Sequence, residues 1–125
     1  MVSICLILSL LILYFLLNSS SVLGLSQAQL EYIELHNISN RTVPLFNPIE
    51  PLNTWRLSGG ISVAFPSEIN LPSNGYLLLV GFDPIINPSL ESRFRDYYNV
   101  PREVELIGPL KGRLSNSGES ISLLR

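Results

Sequence analysis

The first thirty residues of the chain carry no Asp, Glu, Lys or Arg, and Glu31 is the first charged side chain. Within this stretch, the run Ile4–Leu17 (ICLILSLLILYFLL) is apolar except for one serine. A run of about 14 residues is short for a membrane-spanning helix, which needs roughly 20, and is typical of the hydrophobic region of a signal peptide. The sequence therefore predicts a hydrophobic N-terminal helix within a leader over 1–24, and a separate domain over 30–125.

Three interpretations of the leader stay open. Small residues at Val22-Leu23-Gly24 and at Ser26-Gln27-Ala28 suit a signal peptidase and favour a cleaved signal peptide. No Lys or Arg precedes the apolar run to orient it, so an uncleaved membrane anchor and a wrongly assigned start codon are the alternatives. Signal peptide and anchor both imply export, and the sequence predicts an extracellular or cell-surface protein.

Composition limits what the domain can do. A chain of 125 residues is long enough for one domain with one core. The single cysteine, Cys5, lies in the leader, so the domain has no disulfide, cysteine zinc site or thiol nucleophile. The net charge of -2 argues against a nucleic-acid partner, because binding to phosphates needs a basic surface.

Beyond the leader, the chain has the pattern of an all-β protein with one short helix. Alternating or continuous apolar runs bounded by Gly, Pro and Asn predict strands at residues 30–37, 43–46, 54–57, 61–65, 76–81, 104–107 and 119–124. The run 76–81 (YLLLVG) is apolar throughout, which indicates a central strand covered on both faces. Leu90 and Phe94 have helical spacing after Asn87-Pro88, which predicts a helix over 88–99. Several short strands of this kind predict a β-sandwich.

Four motifs occur in order along the domain: EYIELHN with its Asn/Ser turn, NTWRL, FP followed by NGYLLLV, and GRLSNSGESISL. Together they resemble the lamin-tail domain, and in particular its exported bacterial members, from about Glu31 to Leu124. The resemblance implies an immunoglobulin-like β-sandwich of lamin-tail type. It also implies a non-catalytic binding or scaffolding module whose partner is a protein or a cell-surface component, with membrane attachment through the leader as an option.

The resemblance leaves one edge of a sheet open. The family pattern usually starts with a strand before EYIEL, where this chain has its leader. Two substitutes are considered: the segment Val22–Gln29, or the segment Tyr14–Leu17 with the following NSSS in a wrongly started frame. An edge strand that lacks a neighbour exposes backbone groups to pairing with other chains.

The conspicuous residues of the motifs have structural interpretations. Trp55 and Phe65 are predicted to fill the core from facing sheets, because large aromatic side chains contribute most to a small core. Gly75 and Gly118 are predicted at turn positions with positive φ, and Asn37 is interpreted as a turn former.

No residue is predicted to be catalytic, to bind a cofactor or to bind a metal. His36 is the sole histidine and has no second histidine for a metal site or a proton relay. No Gly-x-Ser-x-Gly motif is present, the carboxylates are scattered, and Asp83 stands apart from any calcium-type loop. We therefore predict that the protein is not an enzyme. The alternative, suggested by the resemblance, is an accessory domain or fragment of a secreted hydrolase, such as a nuclease or phosphoesterase.

Overall fold

The computed structural model of the protein describes residues 4–7, 24–113, 115 and 120–125. Its elements follow the order β1 Ile4–Ile7, α1 Gln27–Leu30, β2 Tyr32–Asn37, β3 Val43–Pro44, β4 Arg56–Gly59, β5 Ile61–Ala64, β6 Asn70–Leu71, β7 Tyr76–Val80, α2 Pro88–Tyr98, β8 Glu105–Ile107, β9 Lys111–Gly112 and β10 Ile121–Leu124. The first sheet has the order β1-β2-β7-β8 and the second the order β10-β4-β5-β9, while β3 and β6 form a small ladder. The predicted all-β class is confirmed, with strands close to their expected positions.

One buried cluster draws on both four-stranded sheets. Ile33 and Leu35 alternate with half-buried polar neighbours along β2, so the apolar face of this strand points into the cluster. Leu57 and Ile61 enter the same cluster from the second sheet. Apolar faces that meet in this way exclude water on both sides, which is the main stabilising contribution in a β-sandwich. The architecture is consistent with the predicted sandwich.

The central strand of the first sheet is β7, and it is buried on both faces as predicted. Leu77 and Leu79 belong to the cluster shared by the two sheets, whereas Leu78 and Val80 belong to a second cluster on the outer face. The strand pairs antiparallel with β2 and parallel with β8. A continuous apolar sequence is required here because neither face meets water.

The helix α2 covers the outer face of the first sheet. Two parallel neighbouring strands need a crossover connection, and the segment between β7 and β8 provides it with α2. Phe94 is fully buried against the outer cluster with Leu78 and Leu106, and the helix ends at Asn99 in the left-handed conformation, with φ 53°. The predicted helix is confirmed, and its role as the crossover explains why a helix interrupts the strands.

The leader region differs from its prediction. Residues Ile4–Ile7, which were expected in a hydrophobic helix, form a strand paired antiparallel with β2, with Leu6 opposite Leu35. The helix prediction is therefore wrong over these residues, because they pair with the open edge of β2. The rest of the predicted helix falls on residues 8–23, which lie outside the described residues. Within the part of the chain that is described, no helix is both long and apolar enough to cross a membrane.

The proposed substitutes for a first strand also differ from the structure. The end of the segment Val22–Gln29 enters the short helix α1, where Ser26 and Gln29 form a reciprocal capping box. A strand there is therefore wrong over the described residues, because capping satisfies the first amides of a helix. Tyr14–Leu17 lies outside the described residues. The strand that occupies the edge of β2 is β1.

The two large aromatic side chains are in the core, although not in the arrangement expected. Trp55 is 8% exposed and Phe65 is 3% exposed, so their prediction as core residues is confirmed. They flank β4 and β5 of the second sheet, and the Phe65 amide donates to the Trp55 carbonyl at 3.0 Å. The prediction that they come from facing sheets is wrong, because the β4–β5 hairpin brings them side by side.

The turn before β7 shows a second correction. Positive φ is found at Asn74 (55°) and not at the predicted Gly75. Gly75 is required for a different reason, since a Cβ there would lie 2.9 Å from the Pro72 carbonyl oxygen. Gly118 lies outside the described residues.

A single buried amide connects β2 to the turns around it. Nδ2 of Asn37 donates to the carbonyl oxygens of Arg41 (2.8 Å), Leu71 (3.0 Å) and Pro72 (2.9 Å), so one proton is shared. Its Oδ1 accepts from the backbone amide and the hydroxyl of Ser39, at 3.0 and 2.7 Å. The interpretation of Asn37 as a turn former is confirmed, and its complete burial makes these hydrogen bonds structural.

We expect Asn37→Ala to lower the free energy of unfolding by about 2–4 kcal/mol, because it removes the hydrogen bonds that a fully buried amide donates to three carbonyls and accepts from Ser39. Urea denaturation of the full chain, followed by tryptophan fluorescence, measures the change. The matched control is Asn40→Ala, an exposed residue of the same turn, with an expected change within about 0.5 kcal/mol. Equal midpoints for the two variants would contradict a structural role for the amide.

Candidate binding groove

The side-chain types that commonly bind metal ions lie apart from one another in the residues that the structure describes. No group of three or more His, Cys, Asp or Glu residues is close enough there to hold a metal ion. His36 lies half-buried on the outer face of the first sheet and stacks on Tyr76, with ring centroids 4.1 Å apart and planes 8° apart. This cross-strand pair gives the sole histidine a packing role.

Two groups with altered acidity lie near the helices. Burial raises the pKa of the Tyr98 phenol well above its usual range, and the neighbouring Tyr97 and Tyr32 add to the effect. The hydroxyl donates to the Leu30 carbonyl at 2.8 Å and so ties α2 to the end of α1. Burial also raises the pKa of Glu31, opposed by the charge of Arg113. The Tyr98 phenol and the Glu31 carboxyl thus both lie where α2 packs near the end of α1.

A groove of about 680 Å³ lies beside the end of the second sheet. It is formed by the turn after β2, by β3, by the segment between β3 and β4, and by the residue after β10. Its lining residues are Arg41, Thr42, Val43, Pro44, Phe46, Asn47, Pro48, Asn53, Trp55 and Arg125. The groove therefore combines two aromatic side chains, two guanidinium groups and no carboxylate side chain.

The aromatic part of the groove is held by backbone pairing. The Trp55 amide donates to the Leu45 carbonyl at 2.9 Å, and Phe46 forms an antiparallel bridge with Thr54. The guanidinium carbon of Arg125 lies 4.9 Å from the centroid of the Trp55 ring. This is within the range of an attractive cation–π contact, so the cation is positioned by the core tryptophan.

The second arginine is positioned by the buried amide of β2. The carbonyl of Arg41 accepts hydrogen bonds from Asn37 Nδ2 (2.8 Å) and from the Ser39 hydroxyl (3.0 Å). The backbone at Arg41 is thereby fixed, while the residue as a whole is exposed. The turn thus presents a guanidinium at the groove from an anchored position.

An apolar loop, defined here as residues 47–53, projects beside the groove. Ile49 and Leu52 are 90% and 91% exposed, although both are large aliphatic residues. The loop is closed by the Asn47 amide on the Asn53 carbonyl and by the Asn53 amide on the Glu50 carbonyl, both at 2.8 Å. Pro48 and Pro51 restrict it further. Both aliphatic side chains would leave water if a partner covered the loop.

The groove was not predicted from the sequence. The segment NPIEPLN contained a usable signal, since Ile49 and Leu52 each lie close to a proline, a residue that disfavours strand formation. The approach of Arg125 to Trp55 had no such signal. It arises because β10 pairs with β4, with Leu124 opposite Arg56, and this register brings distant parts of the chain together.

The fold and the groove together describe a mostly β protein with a crossover helix and a concave surface, without a cluster of reactive side chains in the described part. No protein-family model, no curated protein and no solved structure matches this chain.

We expect Trp55→Ala to lower the free energy of unfolding by about 3–5 kcal/mol, because it removes a buried aromatic side chain that forms both core and groove. Trp55→Phe, the matched control, keeps an aromatic ring in the core and should lose less. Thermal unfolding followed by circular dichroism measures both variants. A melting temperature of Trp55→Ala within a degree or two of wild type would show that the indole does not support the core.

Proposed function

We propose that this protein is a non-catalytic binding or scaffolding module that acts outside the cytoplasmic membrane. The observation that carries the proposal is the groove at Trp55, bordered by a restricted loop that displays Ile49 and Leu52 in water. A surface of this kind gains free energy when a partner covers it, and little of that gain is lost in ordering the loop. We propose that the partner is a protein or a cell-surface component, and not a nucleic acid.

We further propose that the domain is an immunoglobulin-like sandwich of lamin-tail type. This is supported by the roles of the motif residues: Asn37 of EYIELHN holds the turns, Trp55 of NTWRL and Phe65 of the FP motif fill the core, and YLLLV of β7 is the central strand. If this chain shares the architecture of the lamin-tail domain, the residues that resemble the family pattern are expected to have structural roles of this kind.

Export is proposed from the length and composition of the leader. Its apolar run has the size of a signal-peptide region, and small residues follow at a suitable distance. In a cleaved product, the edge of β2 that β1 occupies would become available to another strand. Cleavage would therefore change both the location of the module and one edge of its first sheet.

We expect the purified full chain to show no turnover of nucleic acids, phosphoesters or peptides, with or without Mg²⁺, Ca²⁺ or Zn²⁺. The physical reason is that the chain has one histidine and that the described residues bring together no group of three or more His, Cys, Asp or Glu side chains that could hold a metal ion. Chromogenic and fluorogenic substrates measure the rate against a buffer blank. Turnover that follows the protein through purification and is abolished in His36→Ala would contradict the non-catalytic assignment.

We expect the full chain expressed in bacteria to be exported and to carry a new N-terminus near Leu25 or Gln29. Cell fractionation followed by N-terminal sequencing of the product measures the outcome. An intact Met1 in the membrane fraction would indicate an anchor, which keeps the module at the cell surface. An intact Met1 in the cytoplasm would contradict export.

A further inference from the structure

Three concave surfaces are described around the domain, and they differ in charge. The two beside α2 are lined by charges of both signs, including Glu91, Arg95 and Arg102. Arg95 is already engaged, because its Nε lies 2.9 Å from Glu91 and its Nη1 donates to the carbonyls of Pro101 and Val104. A negatively charged ligand at either surface would therefore also meet carboxylate side chains of the protein.

The groove at Trp55 differs because its cations are not neutralised. Arg41 and Arg125 line it, and within the residues that the structure describes neither guanidinium forms an ion pair with a carboxylate. A guanidinium has five N–H donors, so the contact of Arg125 with an indole face leaves donors for an oxygen ligand. Charge-assisted hydrogen bonds to a carboxylate are the strongest that such a group forms.

Apolar surface lies directly beside these cations. Phe46 and Trp55 line the groove together with Pro48 of the apolar loop, and the same loop exposes Ile49 and Leu52. A ligand that fits must therefore combine negative charge with large apolar side chains. A volume of about 680 Å³ is within the usual range of ligand-binding clefts.

The loop also distinguishes a protein ligand from a lipid surface. Glu50 lies between Ile49 and Leu52 at the tip of the apolar loop, and it is exposed. Insertion of this tip into a bilayer would remove the Glu50 carboxylate from water, whereas a peptide that lies in the groove can leave it exposed. The cations, moreover, lie in a concave site and not on a projecting face. These features favour a peptide.

From this combination of unpaired cations and apolar surface, we propose that the groove binds an extended acidic peptide of a partner protein, with a carboxylate between Arg41 and Arg125 and an apolar side chain against Ile49 and Leu52. The proposal rests on the binding function proposed above and names the chemistry of the partner. It does not depend on catalysis or on the fate of the leader.

The test uses the full chain and a blocked octapeptide of alternating Asp and Leu residues, labelled for fluorescence anisotropy. The matched probe is the same peptide with Asn in place of every Asp. Trp55 is the only tryptophan, so its emission reports occupancy of the groove independently. We expect the Asp peptide to bind at least roughly tenfold more tightly than the Asn peptide, which corresponds to about 1.4 kcal/mol. Added salt should weaken the binding.

Matched variants assign the binding to the groove. The double variant Arg41→Gln/Arg125→Gln should lose roughly tenfold or more in affinity, as charge-assisted contacts disappear, whereas Arg102→Gln beside α2 should leave it unchanged. Ile49→Asp should likewise weaken binding, while Ile85→Asp, an equally exposed isoleucine in another loop, should not. Melting temperatures equal to wild type confirm that the variants fold.

Several outcomes would overturn the proposal. Equal affinity for the Asp and Asn peptides, or equal losses in the groove variants and in their controls, would exclude an acidic peptide at this site. Failure of the Asp–Leu peptide to bind would do the same. Binding to vesicles of phosphatidylserine and phosphatidylcholine that is lost in Ile49→Asp, without peptide binding, would identify a lipid surface instead. Export and the absence of turnover test the proposed function separately from these binding measurements. Failure of the peptide proposal can therefore be distinguished from failure of the proposed function.

Discussion

The buried side-chain amide of Asn37 is the interaction on which most of the fold's geometry depends. It joins the end of β2 to the carbonyls of Arg41, Leu71 and Pro72, and the Asn37 backbone amide donates to Gly75 at 3.0 Å. The Leu71 carbonyl is buried and the other two are partly buried, and one amide donates to all three and so connects two turns. The same contact fixes the backbone of Arg41 at the groove. A residue of the core is thus also the support of the proposed binding surface.

The second constraint is the double burial of β7. Its inner face contributes to the cluster between the sheets, and its outer face needs a cover, which α2 provides through Phe94. Covering with a helix lets β8 run parallel to β7, a topology that a hairpin cannot give. The charged concave surfaces beside α2 are by-products of this crossover. Beside α2, the Arg95–Glu91 pair joins two residues of the helix one turn apart.

Prediction from sequence succeeded for the elements that depend on local pattern. Alternation along β2 and the continuous apolar run of β7 identified these strands, and helical spacing ended by Pro101 identified α2. It failed where a long-range contact decides the conformation. Ile4–Ile7 has the composition of a leader helix but pairs as a strand with β2. Similarly, Trp55 and Phe65 were correctly placed in the core, whereas only the β4–β5 hairpin shows that they are neighbours on one sheet.

The sequence by itself determined the all-β class and the positions of most strands and of the helix α2. These properties follow from hydrophobic period, turn chemistry and composition, which are local or additive. The tertiary structure decided the groove. Arg41, Trp55 and Arg125 come from separate parts of the chain, and they meet because β10 pairs with β4 while Asn37 holds the turn at Arg41. The reason is physical: strand register and buried hydrogen bonds join residues whose separation along the chain carries no signal of their contact.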